Sequence, residues 1–198
     1  MSGEIYNEAV LVRDLGLLGV DARVAFAVSC AERLFPAYAE FSNQTGRGSP
    51  ETLATLLERV WQHLLGERML SEDISASLHL CMTLIPDESD GPWVDAQPYA
   101  DDAATATAYA LRALETGKAQ EAAWAARRAY EAAGHHVAHR LGIKSEAMIR
   151  AHPVVVRETS RQRRDLDLLL AANQEPVGYF VRLRDRAKSE AFMFFGIA

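Results

Sequence analysis

Strand signals are almost missing from this chain of 198 residues. Apolar–polar alternation with a period of two, rich in Val, Ile and Thr, hardly occurs, so a sheet-based fold is excluded. No apolar run approaches the roughly 20 residues that a membrane-spanning helix needs, so no membrane role is expected. The first residues, MSGEIYNEAV, are acidic and lack the basic stretch and apolar core of an export signal. Cysteine is scarce: Cys30 and Cys81 both sit on apolar segments, where buried reduced thiols of a cytoplasmic protein are expected. A Gly-Lys-Ser/Thr phosphate loop is absent, as is any readable Ser/His/Asp or Cys/His arrangement. No repeat of 20–50 residues and no low-complexity tail occurs.

Half of what remains is apolar, at 49% of the residues, and it follows a 3.6-residue period throughout. The segment VAFAVSCAERLFPAYAEFSNQTGRGS, from Val24 to Ser49, is apolar over an arc of roughly 200° when wound as a helix, against a little over 100° for a surface helix. It therefore belongs at the centre of a domain, and Pro36 within it predicts a kink. Helices are predicted over about Glu4–Leu17, Asp21–Asn43, Pro50 to before Gly66, and Glu72–Leu84. An acidic loop from Pro86 to Pro98 carries Trp93. An alanine-rich pair follows, Pro98–Thr116 and Lys118–Leu141, turning at Gly117 into a tight antiparallel hairpin. A short helix capped by Ser145, one from Pro153 to about Asn173, and a last one opening at Pro176 complete the chain. The fold class is all-α: one domain over residues 1–198, a bundle of seven or eight helices around the proline-kinked Asp21–Asn43 helix. Phe35 should be buried in it.

Net charge is −6, which argues against nucleic acid as a partner. Its distribution is uneven: 10 Lys/Arg against 20 Asp/Glu in residues 1–139, and 11 against 7 in residues 140–198. A basic C-terminal part docking onto an acidic body, or covering it in a dimer, accounts for that; a basic face for an acidic partner is the alternative.

Four groups of residues bear on chemistry. His135-His136-Val137-Ala138-His139 places two histidines four apart, a zinc-ligand spacing, but lacks the glutamate of the protease motif and shares its face with Arg128. No metal is expected there, and no cofactor is implied elsewhere. Thr45-Gly46-Arg47-Gly48-Ser49 precedes a helix start and could hold an anion; a helix-stopping turn with a serine cap explains it equally. Glu158, Gln162 and Asp165 recur at i, i+4 and i+7 along the border of an apolar face, so they need polar partners. Arg33 and Asp101 are the partners expected, with Glu32 a buried acid beside them. Glu32, Arg33, Asp101, Glu158 and Gln162 thus form the candidate binding cluster, read either as an inter-helix ion-pair network or as a pocket. Arg157, Arg161 and Arg164 line the other side of that helix as a solvated basic face.

Three stretches, AERLFPAYAEFSNQTGRG (Ala31–Gly48), QPYADDAATATAYAL (Gln97–Leu111) and AHPVVVRETSRQ (Ala151–Gln162), resemble in this order the YjaG-like bacterial family, also called domain of unknown function 416. The resemblance spans most of the chain. It implies a small all-helical bacterial protein without an assigned activity, and it carries over no catalytic residues. On the residues themselves, two functions stand. One is a non-enzymatic interaction or regulatory protein working through a surface, with itself as a homodimer or with another protein. The other is a small-molecule binder or enzyme with an acidic site between helices.

Overall fold

A computed structural model describes residues 6–87, 89, 91–171 and 176–194, without the side chains of 176 and 192–194. Among the described residues there is no strand. In those residues nine α-helices follow one another: α1 (Glu8–Gly16), α2 (Val20–Thr45), α3 (Pro50–Leu64), α4 (Ser71–Met82), α5 (Gln97–Thr116), α6 (Ala119–His135), α7 (Glu146–Ala151), α8 (Pro153–Leu170) and α9 (Pro176–Phe194). Each of the nine segments read from the sequence has its helix, one or two more than the bundle of seven or eight they were grouped into. The short α7 is separate from α8, as its own Ser145 start implied: His152 is extended, with φ −69° and ψ 139°, and Pro153 cannot continue a helix from behind. The apolar run Phe192-Met193-Phe194-Phe195-Gly196-Ile197, expected to dock back on the body or onto a second copy, lies outside the described side chains.

Helix α2 is the axis of the bundle. Every residue from 24 to 34 is buried, because α3, α5, α6, α8 and α9 all pack around it. The helix runs on through Pro36. Phe35 departs from expectation: it is half-buried rather than enclosed, since it lies where α2 emerges beside α3. Helices α5 and α6 form the alanine hairpin. Ala100, Ala103, Ala104 and Ala110 of one and Ala122, Ala126, Ala129 and Ala133 of the other are buried, and side chains this small let the two backbones approach closely. Past His135 the α-helix widens into a π-helical turn, His136–Arg140.

Turn chemistry fixes the ends. Asn7 accepts a hydrogen bond from the Val10 N–H at 3.1 Å, so α1 starts there rather than at Glu4. Gly46 closes α2 in the left-handed conformation, at φ 66°. Gly48 has φ +75°, and a Cβ there would stand 2.7 Å from the Tyr38 hydroxyl. That hydroxyl donates to the Leu84 carbonyl at 2.8 Å, tying α2 to the chain after α4. Ser49 caps α3 ahead of Pro50.

Candidate functional site

Helix α8 turns one side toward α2 and α9, and that side carries Glu158, Arg161, Gln162 and Asp165, all buried. Arg33 of α2 meets them. Its Nη1 donates to Asp165 Oδ2 at 2.8 Å and its Nη2 to Glu158 Oε1 at 3.0 Å. Ser29, one turn earlier, reaches the same Asp165 oxygen at 3.3 Å. Gln162 bridges onward: its amide donates to Glu158 Oε1 and to the Ala126 carbonyl of α6, both at 3.0 Å. From α9, Arg186 pairs with the other Asp165 oxygen. Glu190 accepts from Arg164 and lies 3.5 Å from Arg161 Nε. Three carboxylates and four guanidiniums are thereby interlocked across three helices.

The cluster is sealed. Arg33 is 1% exposed, and Glu158 and Asp165 are 0%. Burial alone would lower the pKa of Arg33, but Glu158 and Asp165 outweigh it and hold the guanidinium firmly charged. Each of these carboxylates is already paired with an arginine. The arrangement braces α2, α8 and α9 against one another. Its central groups are almost wholly withdrawn from solvent, while Arg164 and Arg186 reach the surface.

The expected cluster is therefore divided. Arg33, Glu158 and Gln162 come together, with Asp165 at the centre. Asp101 does not join them. It bonds Thr105 at 2.8 Å on α5, and its neighbour Asp102 is the one turned inward, 3.3 Å from Arg128 of α6. Burial pushes the Asp102 carboxyl up to about 7, against the pull of Arg128. Glu32 also points elsewhere, because consecutive helical residues diverge by 100°. Its Oε2 accepts from the Trp61 indole N–H of α3 at 3.1 Å. Arg161 corrects the reading of a solvated basic line: it is buried between Glu158 and Glu190, while Arg157 and Arg164 are exposed. Sequence alone missed Arg161, Arg186, Glu190 and Trp61. The spacing of Arg161 three after Glu158 was a usable signal; the docking of α9 on α8, which brings Arg186 and Glu190, has none.

The remaining groups are accounted for by packing. Arg47 donates to the Pro92 carbonyl at 3.1 Å and to Gln97 at 3.2 Å, and stacks over Phe41; it pins the acidic loop. The His135 and His139 rings stack with centroids 4.1 Å apart, and His135 meets the edge of Tyr99. Among the described residues no group of three or more His, Cys, Asp or Glu is placed to hold a metal ion. Cys30 and Cys81 are both free thiols, and burial pushes each up to about 12, far from a reactive thiolate.

The sequence profile described as "Protein of unknown function (DUF416)" matches residues 13–198. The chain belongs to the DUF416 family. The crystal structure of a DUF416 family protein from Shewanella baltica OS155 superposes with a TM-score of 0.78 at 21% identity, over 90% of this chain and 93% of that one. That likeness is one of fold. No curated protein matches. The stretches that carry the family resemblance map largely onto buried polar positions of this DUF416 chain. Arg33 enters the brace, Glu32 meets Trp61, Tyr38 and Gly48 close the turn, Gln97 takes Arg47, and Glu158 and Gln162 complete the brace. In this chain those residues tie its helices together.

Proposed function

We propose that this DUF416 chain is a non-enzymatic bacterial interaction or regulatory protein, acting in the cytoplasm through its surface, as a homodimer or with another protein. The observation that supports this reading is the sealing of the charged cluster. The constellation that most looks like chemistry in the sequence is a closed brace, with every acid held by arginine. Among the described residues no helix is long and apolar enough to cross a membrane.

The surface offers an apolar stretch suited to contact. Helix α4 buries only one narrow face, and Leu70, Leu80 and Met82 at its ends are exposed. Trp93 in the loop that follows is 61% exposed although Arg47 anchors its neighbour Pro92. A large aromatic held outward on a pinned loop is the kind of side chain that dominates protein contacts. The test is light scattering across a concentration series, with cross-linking from position 93 in the source cells. Self-association, or one specific cross-linked partner, abolished in a folded Met82→Ser, Trp93→Ser variant is the expected result. A monomer at all concentrations that cross-links to nothing would overturn the reading.

A further inference from the structure

Seven carboxylates are buried among the described residues: Asp14, Glu32, Asp102, Glu121, Glu158, Asp165 and Glu190. Six have an arginine within ion-pair distance. Glu32 has none among the described residues. Its one hydrogen bond is from Trp61 to Oε2, which leaves Oε1 without a partner there. A carboxylate that is only 9% exposed and has no cation within ion-pair distance carries a desolvation cost that its one hydrogen bond and the more distant Lys188 and Arg184 offset only in part.

Glu32 lines a groove of about 510 Å³ between α2, α3 and α9, together with Phe35, Leu57, Glu58, Arg59 and Lys188. That volume is of the size that holds small molecules. The cations around it are turned to other acids. Glu58 takes Arg184 at 2.8 Å and Lys188 at 3.3 Å, and Arg59 faces Asp73 of α4 at 3.8 Å. The groove thus combines one uncompensated acid with an apolar wall. We propose that it binds a small organic ammonium ion, with the charged head against Oε1 of Glu32 and a short apolar chain along Phe35 and Leu57. The indole N–H of Trp61 holds the carboxylate in position and leaves its other edge for the ligand. The inference goes beyond the surface reading above and does not depend on it.

The probe is butylammonium titrated into the full chain, with butanoate as the control of opposite charge. The readout is the NMR resonance of the Trp61 indole N–H, which sits one hydrogen bond from the site. A saturable shift with a dissociation constant on the order of 1 mM is expected for so small a ligand, with no shift from butanoate. Glu32→Gln keeps an amide oxygen for Trp61 and removes the charge; the shift should vanish while the resonance itself persists. Lys188→Ala removes a like charge from the rim, so binding should tighten. The absence of a saturable butylammonium shift, an equal shift in Glu32→Gln, or a response to butanoate alone would each overturn the proposal, the last by showing a groove that takes anions through Lys188 and Arg59.

Discussion

Glu32 and Arg33 are neighbours in the chain and opposites in the fold. Helix α2 sends Arg33 toward α8 and α9, into a brace where each carboxylate meets a guanidinium and the central groups, Arg33, Glu158 and Asp165, are withdrawn from solvent. It sends Glu32 toward α3, into a groove where the buried carboxylate has an indole for company and, among the described residues, no cation within ion-pair distance. Both positions carry a buried charge, so burial does not tell them apart. The partners do. Balanced charges inside a helical bundle set which helices meet and in what register, whereas an unbalanced one at the edge of a groove marks a place for something else to bind.

The comparison predicts unequal costs. Arg33→Met should be the most damaging single change, because Glu158 and Asp165 would lose their shared cation while remaining buried. Breaking such a pair by removing one partner costs about 3–5 kcal/mol, or roughly 6–20 °C in melting temperature for a chain of this size. Circular-dichroism melts check it. Adding Glu158→Gln should recover part of the loss, since one stranded charge is then gone. A loss under about 1 kcal/mol would mean that the brace does not hold the helices together, and the contrast with Glu32 would collapse.

Trp61→Phe probes the other side at intermediate cost. The ring stays apolar and large, but the N–H that reaches Glu32 is lost. A hydrogen bond to a charged group contributes about 1.5–3 kcal/mol, so urea unfolding should register a change in that range. A cost equal to that of Arg33→Met would place Glu32 inside a cooperative network like the one opposite and break the distinction.

The helices were legible because apolar spacing, caps and prolines are local signals: the expected Asp21–Asn43 helix is α2, which starts one residue earlier and ends two later. Glu158, Gln162 and Arg33 were also legible, because polar residues spaced along the edge of an apolar face must find partners. What failed was direction. Asp101 and Asp102 are adjacent at the start of α5, and only the docking of α6 decides that Asp102 meets Arg128. Arg161 looked like part of an exposed line, because the helix that covers it, α9, has no sequence feature naming α8 as its neighbour. Phe35 looked central because α2 is apolar nearly all round, but the groove against α3 leaves it half-open. Local periodicity shows which residues need company. It does not show which helix supplies it.

The smallest expected effect is the most discriminating. Glu32→Gln should change stability at neutral pH by no more than about 1 kcal/mol, and in the stabilising direction, because it removes a buried charge with no counter-ion. The sign follows from linkage. Burial raises the pKa of Glu32; the bond from Trp61 pulls the other way but is outweighed. The folded chain therefore keeps a proton on Glu32 over a pH range in which the unfolded chain has released it. Stability falls as pH rises from the ordinary glutamate value, about 4.3, toward the raised folded value, and is level above it. Gln titrates nowhere in that range, so the variant should gain on the parent as pH climbs through the window. Asp102, pushed up to about 7, adds a slope of the same sign, but it is present in both chains and cancels in the difference. Urea unfolding of parent and variant from about pH 4 to about pH 8 gives that difference directly. If the parent instead gained on the variant as pH rose, the Glu32 carboxylate would have an internal cation after all, and the two sides of α2 would be alike.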